Sequence, residues 1–184
     1  MRKLISFTAI SLDGYYKGAD GAFDFANVDQ EFFDFSNHQD AYIDTLMFGR
    51  ETYENMAAYW PNATESDPEV TDFMNSVQKV VVSSTLKKAE WNNTELAGRD
   101  LDATVKALKQ QPGKEIALFG SVQLTASLLE LGLVDELRVI VFPILLGEGV
   151  SLFSTLDQRV PLQLWQTRTF HSGNVLLTYR PAQS

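Results

Sequence analysis

Thr45-Leu46-Met47-Phe48-Gly49-Arg50-Glu51-Thr52-Tyr53 decides how this chain folds. Thr45 to Phe48 read as a short buried strand, and Gly49 ends it. The residues that follow predict a helix from Glu51 to Tyr59, stopped before Pro61. A strand passing through glycine straight into a helix is the unit from which parallel sheets are built.

The unit recurs in both directions. Upstream, Leu4–Ile10 reads as a strand closed by Asp13-Gly14, and Asn27 as the cap of a helix with Gln30 three residues later. That helix carries Phe32, Phe33 and Phe35. Downstream, Asp67-Pro68 is a cap followed by proline at the first helical position, and Lys79–Ser83 is a β-branched strand. Asp100 caps a helix with Leu101, Val105 and Leu108 on one face. Glu115–Phe119 is a strand ending at Gly120. The helix from Ser121 to Leu131 then places Leu124, Leu128 and Leu131 on one face and stops at Gly132. Glu136–Phe142 is a strand ended by Pro143, and Leu162–Phe170 with Asn174–Arg180 is a hairpin turning at Ser172-Gly173. Alternating strands and helices predict a single α/β domain over residues 1–184. Its sheet is mixed and mostly parallel, flanked by helices, with a C-terminal antiparallel hairpin at one edge.

Composition narrows the chemistry. A net charge of −9 over 184 residues disfavours nucleic acid as a partner. Without cysteine there is no thiolate metal site, disulfide or cysteine nucleophile, and two distant histidines, His38 and His171, make a histidine-based zinc site improbable. The acids Asp20, Asp24, Asp29, Glu31, Asp34, Asp40 and Asp44 lack metal-loop spacing and read as a solvated surface. The N-terminal apolar stretch is too short and polar for a signal peptide, and no run approaches the roughly 20 apolar residues that span a bilayer. The expected location is the cytoplasm.

In open α/β sheets ligands bind beyond the carboxyl ends of the strands. Three such ends carry useful chemistry. At Gly49-Arg50-Glu51-Thr52 a glycine permits close approach, a helix presents free N–H groups, Arg50 offers a charge and Thr52 a hydroxyl. Ser83-Ser84-Thr85 clusters three hydroxyls, and Gly120-Ser121-Val122-Gln123 again opens a helix after glycine. Taken alone, the first reads equally as an ordinary strand-to-helix turn, the hydroxyl cluster reads more readily as a polar turn, and the third is a weak signal. In chain order, they form a plausible bed for a dinucleotide. Neither a full GxGxxG fingerprint nor a Walker A loop is present.

Ser11-Leu12-Asp13-Gly14, Phe48-Gly49-Arg50-Glu51-Thr52-Tyr53-Glu54, Val81-Val82-Ser83-Ser84 and Phe119-Gly120-Ser121 together resemble the dihydrofolate reductase-like superfamily. Leu131-Gly132-Leu133-Val134-Asp135-Glu136-Leu137 and Pro143-Ile144-Leu145-Leu146-Gly147-Glu148-Gly149 resemble its riboflavin-biosynthesis branch, the reductase domain of the deaminase-reductase. The resemblance covers nearly the whole chain. It implies NADPH as cofactor, with Gly49, Arg50 and Thr52 at its phosphates, Arg50 near the 2′-phosphate and Ser83 and Ser84 on the adenosine side. Gly120, Ser121, Val122 and Gln123 would lie under the pyrophosphate and nicotinamide half.

The resemblance also implies hydride transfer to a small heterocyclic or carbonyl substrate, similar to 5-amino-6-(5-phosphoribosylamino)uracil reductase. Ser121 stands where dihydrofolate reductases carry a second glycine, which argues against their cis peptide there, and Phe33, flanked by Glu31 and Asp34, stands near their pterin-gripping acid, which disfavours folate. Asp13 is the candidate catalytic residue, although an Asp-Gly turn is the commoner explanation. A nucleotide-binding module without turnover is the alternative from another class. Similar proteins of the riboflavin branch often dimerise. The apolar hairpin edge predicts a homodimer with Trp165 or its neighbours near the interface.

Overall fold

The computed structural model describes residues 1–98, 100–119 and 122–182. Ten strands and five α-helices follow in the order β1 (Leu4–Ser11), β2 (Tyr15–Lys17), α1 (Gln30–Asp40), β3 (Ile43–Gly49), α2 (Arg50–Tyr59), α3 (Pro68–Ser76), β4 (Gln78–Val82), β5 (Thr94–Ala97), α4 (Leu101–Gln110), β6 (Glu115–Phe119), α5 (Val122–Glu130), β7 (Glu136–Phe142), β8 (Val150–Ser151), β9 (Leu162–Thr169) and β10 (Val175–Pro181). Eight strands form one sheet in the order β5-β4-β3-β6-β1-β7-β10-β9, and β2 pairs with β8 in a separate ribbon. β1 runs parallel to both β6 and β7, while β10 is antiparallel to β7 and β9. The mixed, mostly parallel sheet with an antiparallel C-terminal edge is therefore present.

Period-two alternation sorts the core onto two faces. Met47, Val80, Ile116 and Leu118 pack with Val105, Leu108, Leu124 and Leu128 from α4 and α5. Their neighbours Leu46, Phe48, Val81 and Ala117 point the other way, onto Tyr53, Met74 and Trp91. Phe32 and Phe35 of α1 cover Ile140, Phe142, Phe170 and Leu176 on β7 and the hairpin. Lys79 is fully buried. Its ammonium donates to the carbonyls of Val77 and Asn92 and lies 4.3 Å from the Trp91 ring, and burial lowers its pKa to about 8.

Several local expectations need correction. The cap of α1 is Asp29, whose carboxylate accepts from Phe32 N at 2.9 Å, not Asn27; Asp29 sits closer to the free N–H groups of the first turn. Leu131 lies beyond the end of α5 and is 47% exposed, while Leu124 and Leu128 are buried. Strand β4 ends at Val82, one residue before Ser83. The acidic stretch is only partly solvated: Asp44 pairs with Arg2, and burial pushes the Asp40 carboxyl up to about 6. Strands β2, β5 and β8 had no counterpart in the sequence reading.

Candidate active site

Parallel strands deliver their carboxyl ends to one rim, and there the structure opens a cleft of about 960 Å³. Gly49, Arg50 and Thr52 enter it from the β3–α2 junction, Ser83 and Ser84 from the end of β4, and Val122 and Gln123 from the start of α5. Seven residues singled out in the sequence thus share one cavity. The expectations for Gly120 and Ser121 lie outside the described residues. Asp13 does not line this cleft.

Helix α2 differs from its neighbours at its start. Asp29, Asp67 and Asp100 cap α1, α3 and α4 through their carboxylates, whereas Gly49 provides no side-chain cap for α2. The first-turn N–H groups of α2 therefore remain available to an acceptor in the cleft. Arg50 is exposed and donates to Glu54 at 2.9 Å, an i,i+4 pair that holds the guanidinium beside the helix start. Ser83 Oγ accepts from Thr85 N at 3.2 Å and Leu86 N at 2.9 Å and shares a 3.5 Å hydroxyl contact with Thr85 Oγ1, so it shapes the turn and places two hydroxyls at the cleft. This donor set fits a polyphosphate: uncapped amides, hydroxyls and a guanidinium on one side of a cleft lined by an apolar Val122.

A second part of the lining escaped the sequence reading. Tyr16, Lys17 and Val150 come from the β2–β8 ribbon, with Ser154 and Thr155 just beyond it. The signal that could have found them is the pair of glycines at 147 and 149, a sharp turn aimed at a strand.

Asp13 has another task. Its carboxylate accepts from Ser11 Oγ at 2.6 Å, Gly147 N at 2.8 Å and Leu146 N at 3.2 Å, tying the β1–β2 turn to the loop after β7. The bonds from Ser11 and Gly147 hold its carboxyl below the usual range and so favour the anion over a proton donor. Across the rim, Phe23, Phe25 and Phe142 stack edge to face, and Glu31 holds both Arg168 and His171. Phe33, near the position of a pterin-binding acid, meets Phe32 at 6.4 Å. Among the described residues, no group of three or more His, Cys, Asp or Glu could hold a metal ion, and no helix is long and apolar enough to cross a membrane.

Sheet order, antiparallel edge and rim cleft together define the dihydrofolate reductase-like class of folds. Within that class the chain belongs to the RibD C-terminal domain family, whose model matches residues 2–176. It is 35% identical over 182 residues to the uncharacterised protein YyaP of Bacillus subtilis (strain 168), covering 97% of this chain and 94% of that one. Its fold is similar to a diaminohydroxyphosphoribosylaminopyrimidine deaminase/5-amino-6-(5-phosphoribosylamino)uracil reductase from Thermotoga maritima. That match has a TM-score of 0.71 at 15% identity, covering 98% of this chain and 57% of that one. It is also similar to dihydrofolate reductase from Enterococcus faecalis complexed with NADP(H), with a TM-score of 0.65 at 16% identity over 98% of this chain and 97% of that one.

Proposed function

We propose that the chain is an NADPH-dependent reductase that transfers a hydride to a polarised C=N or C=O carbon of a small heterocyclic or carbonyl substrate. The reaction would be of the type named for 5-amino-6-(5-phosphoribosylamino)uracil reductase. The observation that carries this reading is the convergence of Gly49, Arg50, Thr52, Ser83, Ser84, Val122 and Gln123 on one cleft beside an uncapped helix start. A bound nicotinamide supplies the hydride, and the protein supplies position and charge. Arg50 and the hydroxyls of Ser83 and Ser84 would hold the 2′-phosphate end, and the first-turn amides of α2 would face the diphosphate. Asp13, kept ionised by its hydrogen bonds, would position the loops around the substrate rather than donate the proton.

The test is cofactor discrimination. A charge-assisted hydrogen bond contributes about 1.5–3 kcal/mol. Arg50→Ala should therefore weaken NADPH binding roughly tenfold or more while leaving NADH nearly unchanged. Equal losses for both would remove Arg50 from the 2′-phosphate. Measuring NADPH consumption with candidate substrates beside simple binding separates a reductase from a nucleotide-binding module without turnover.

We also propose a homodimer. Seven of the eight β9 residues are exposed, Leu162, Leu164 and Trp165 among them, with Trp165 59% exposed under the Arg180 guanidinium. An edge strand bare on both faces invites pairing, and a second copy of the chain would cover it. Sedimentation at micromolar concentration should show twice the chain mass of 20.6 kDa. A clean monomer would refute the dimer.

A further inference from the structure

We infer that Lys17 is a second phosphate ligand of the cleft, held ready by Glu51 and exchanged onto the cofactor when it binds. The inference rests on the dinucleotide reading above and adds to it a residue from the β2–β8 ribbon. Among the described residues lining the cleft, Lys17 and Arg50 are the two cations, and they come from different elements, β2 and α2. Lys17 Nζ reaches across to Glu51 Oε1 at 3.4 Å, from the β2–β8 ribbon to the first turn of α2.

The two partners are unequally placed. The Lys17 side chain is only 19% exposed, while that of Glu51 is 77% exposed. An ion pair with one well-solvated partner at that distance contributes little. The Lys17 backbone, by contrast, is fixed. It pairs with Val150, and its carbonyl lies so near Gly149 that no side chain fits between them. The Asp13 carboxylate binds the neighbouring loop to the same turn. A fixed base carrying an ammonium whose carboxylate partner is solvated, with the Tyr16 ring 5.3 Å away as its other contact, suits an exchangeable anion ligand.

Glu51 in turn occupies the helix start that a phosphate would use. Its negative charge favours the positive end of α2 when the cleft is free, and repels a phosphate brought to the same place. A cofactor phosphate would take over both the Lys17 ammonium and the helix start, and the Glu51 carboxylate would swing into solvent.

A double-mutant cycle on NADPH binding, followed by cofactor fluorescence, tests this. Lys17→Met should weaken binding about tenfold with an unchanged circular dichroism spectrum, and Lys17→Arg should restore most of it. Glu51→Gln should tighten binding severalfold, and the gain should be clearly smaller in the Lys17→Met background, where only the relief of repulsion at the helix start remains and no ammonium is freed. A Lys17→Met variant that binds within twofold of the unaltered chain overturns the inference. So does an equal gain from Glu51→Gln in both backgrounds, which reports bulk charge alone. If the unaltered chain does not bind NADPH, the proposed function fails and this inference with it.

Discussion

Gly149→Val is expected to dislodge the β2–β8 ribbon and to weaken NADPH binding by more than tenfold, while the eight-stranded sheet stays folded. The backbone at Gly149 has φ +153, a conformation that side chains rarely adopt. A Cβ there would lie 2.1 Å from the Lys17 carbonyl oxygen and 3.3 Å from Gly18 Cα. Both obstacles are backbone, so no side-chain rotation relieves the clash, and the two ribbon strands must separate. The ribbon brings Tyr16, Lys17 and Val150 to the cleft, so its loss would open one wall. It makes no pairing within the main sheet, which explains why the core should survive. Gly147→Ala is the control: φ is +79 there too, but nothing lies within 4 Å of the added Cβ. Its cost should be limited to backbone strain of about 1–2 kcal/mol, with near-normal binding. Circular dichroism and a cofactor titration on the two variants decide the matter. Normal binding by Gly149→Val would show that the ribbon is no part of the site.

That ribbon also marks where sequence reading stopped. Elements specified by their own neighbours were legible. Glu115–Phe119 and Glu136–Phe142 were read with both ends correct, because each is a short, mostly apolar run bounded by turn residues. Asp67 and Asp100 cap their helices through the predicted carboxylates, and Gly132 ends the α5 segment with φ +66. Strands β2, β5 and β8 hold three, four and two residues, too few for a period, and each exists only through a distant partner. The candidate site divides along the same line. Gly49, Arg50 and Thr52 were visible because a strand–glycine–helix junction is local. Lys17, Ser154 and Thr155 were not, because only tertiary pairing turns them toward the cleft. Asp13 was noticed for its place in an Asp-Gly turn, yet its contacts with Leu146 and Gly147 span more than 130 residues.

The same limit hid a buried carboxylate with three cationic partners. Glu136 opens β7 and read as a strand terminus, where a carboxylate would ordinarily face water, but it is only 4% exposed. Its Oε2 accepts from Arg138 at 2.8 Å, and its Oε1 accepts from Arg180 at 2.8 Å and Lys3 at 3.1 Å. The cluster therefore joins the start of β1 to β7 and to β10. Burial pushes the carboxyl up, but Arg138, Arg180 and Lys3 outweigh it and bring the pKa down to about 2. A carboxylate whose folded value lies below its unfolded one stabilises the fold fully above the unfolded value, near 4.5, and loses that contribution as pH falls toward 2. Between two and three units correspond to about 3 kcal/mol. Glu136→Gln should therefore lower unfolding free energy in urea by about 3 kcal/mol at pH 7, because it leaves the half-buried guanidinium groups of Arg138 and Arg180 facing a neutral amide. The deficit should hold down to about pH 5 and then narrow by about 2 kcal/mol at pH 3, as the unaltered protein alone loses the titrating contribution. Stability curves for the two proteins that stay parallel from pH 7 to pH 3 would mean that Glu136 supports the sheet by shape and hydrogen bonding, not by its charge.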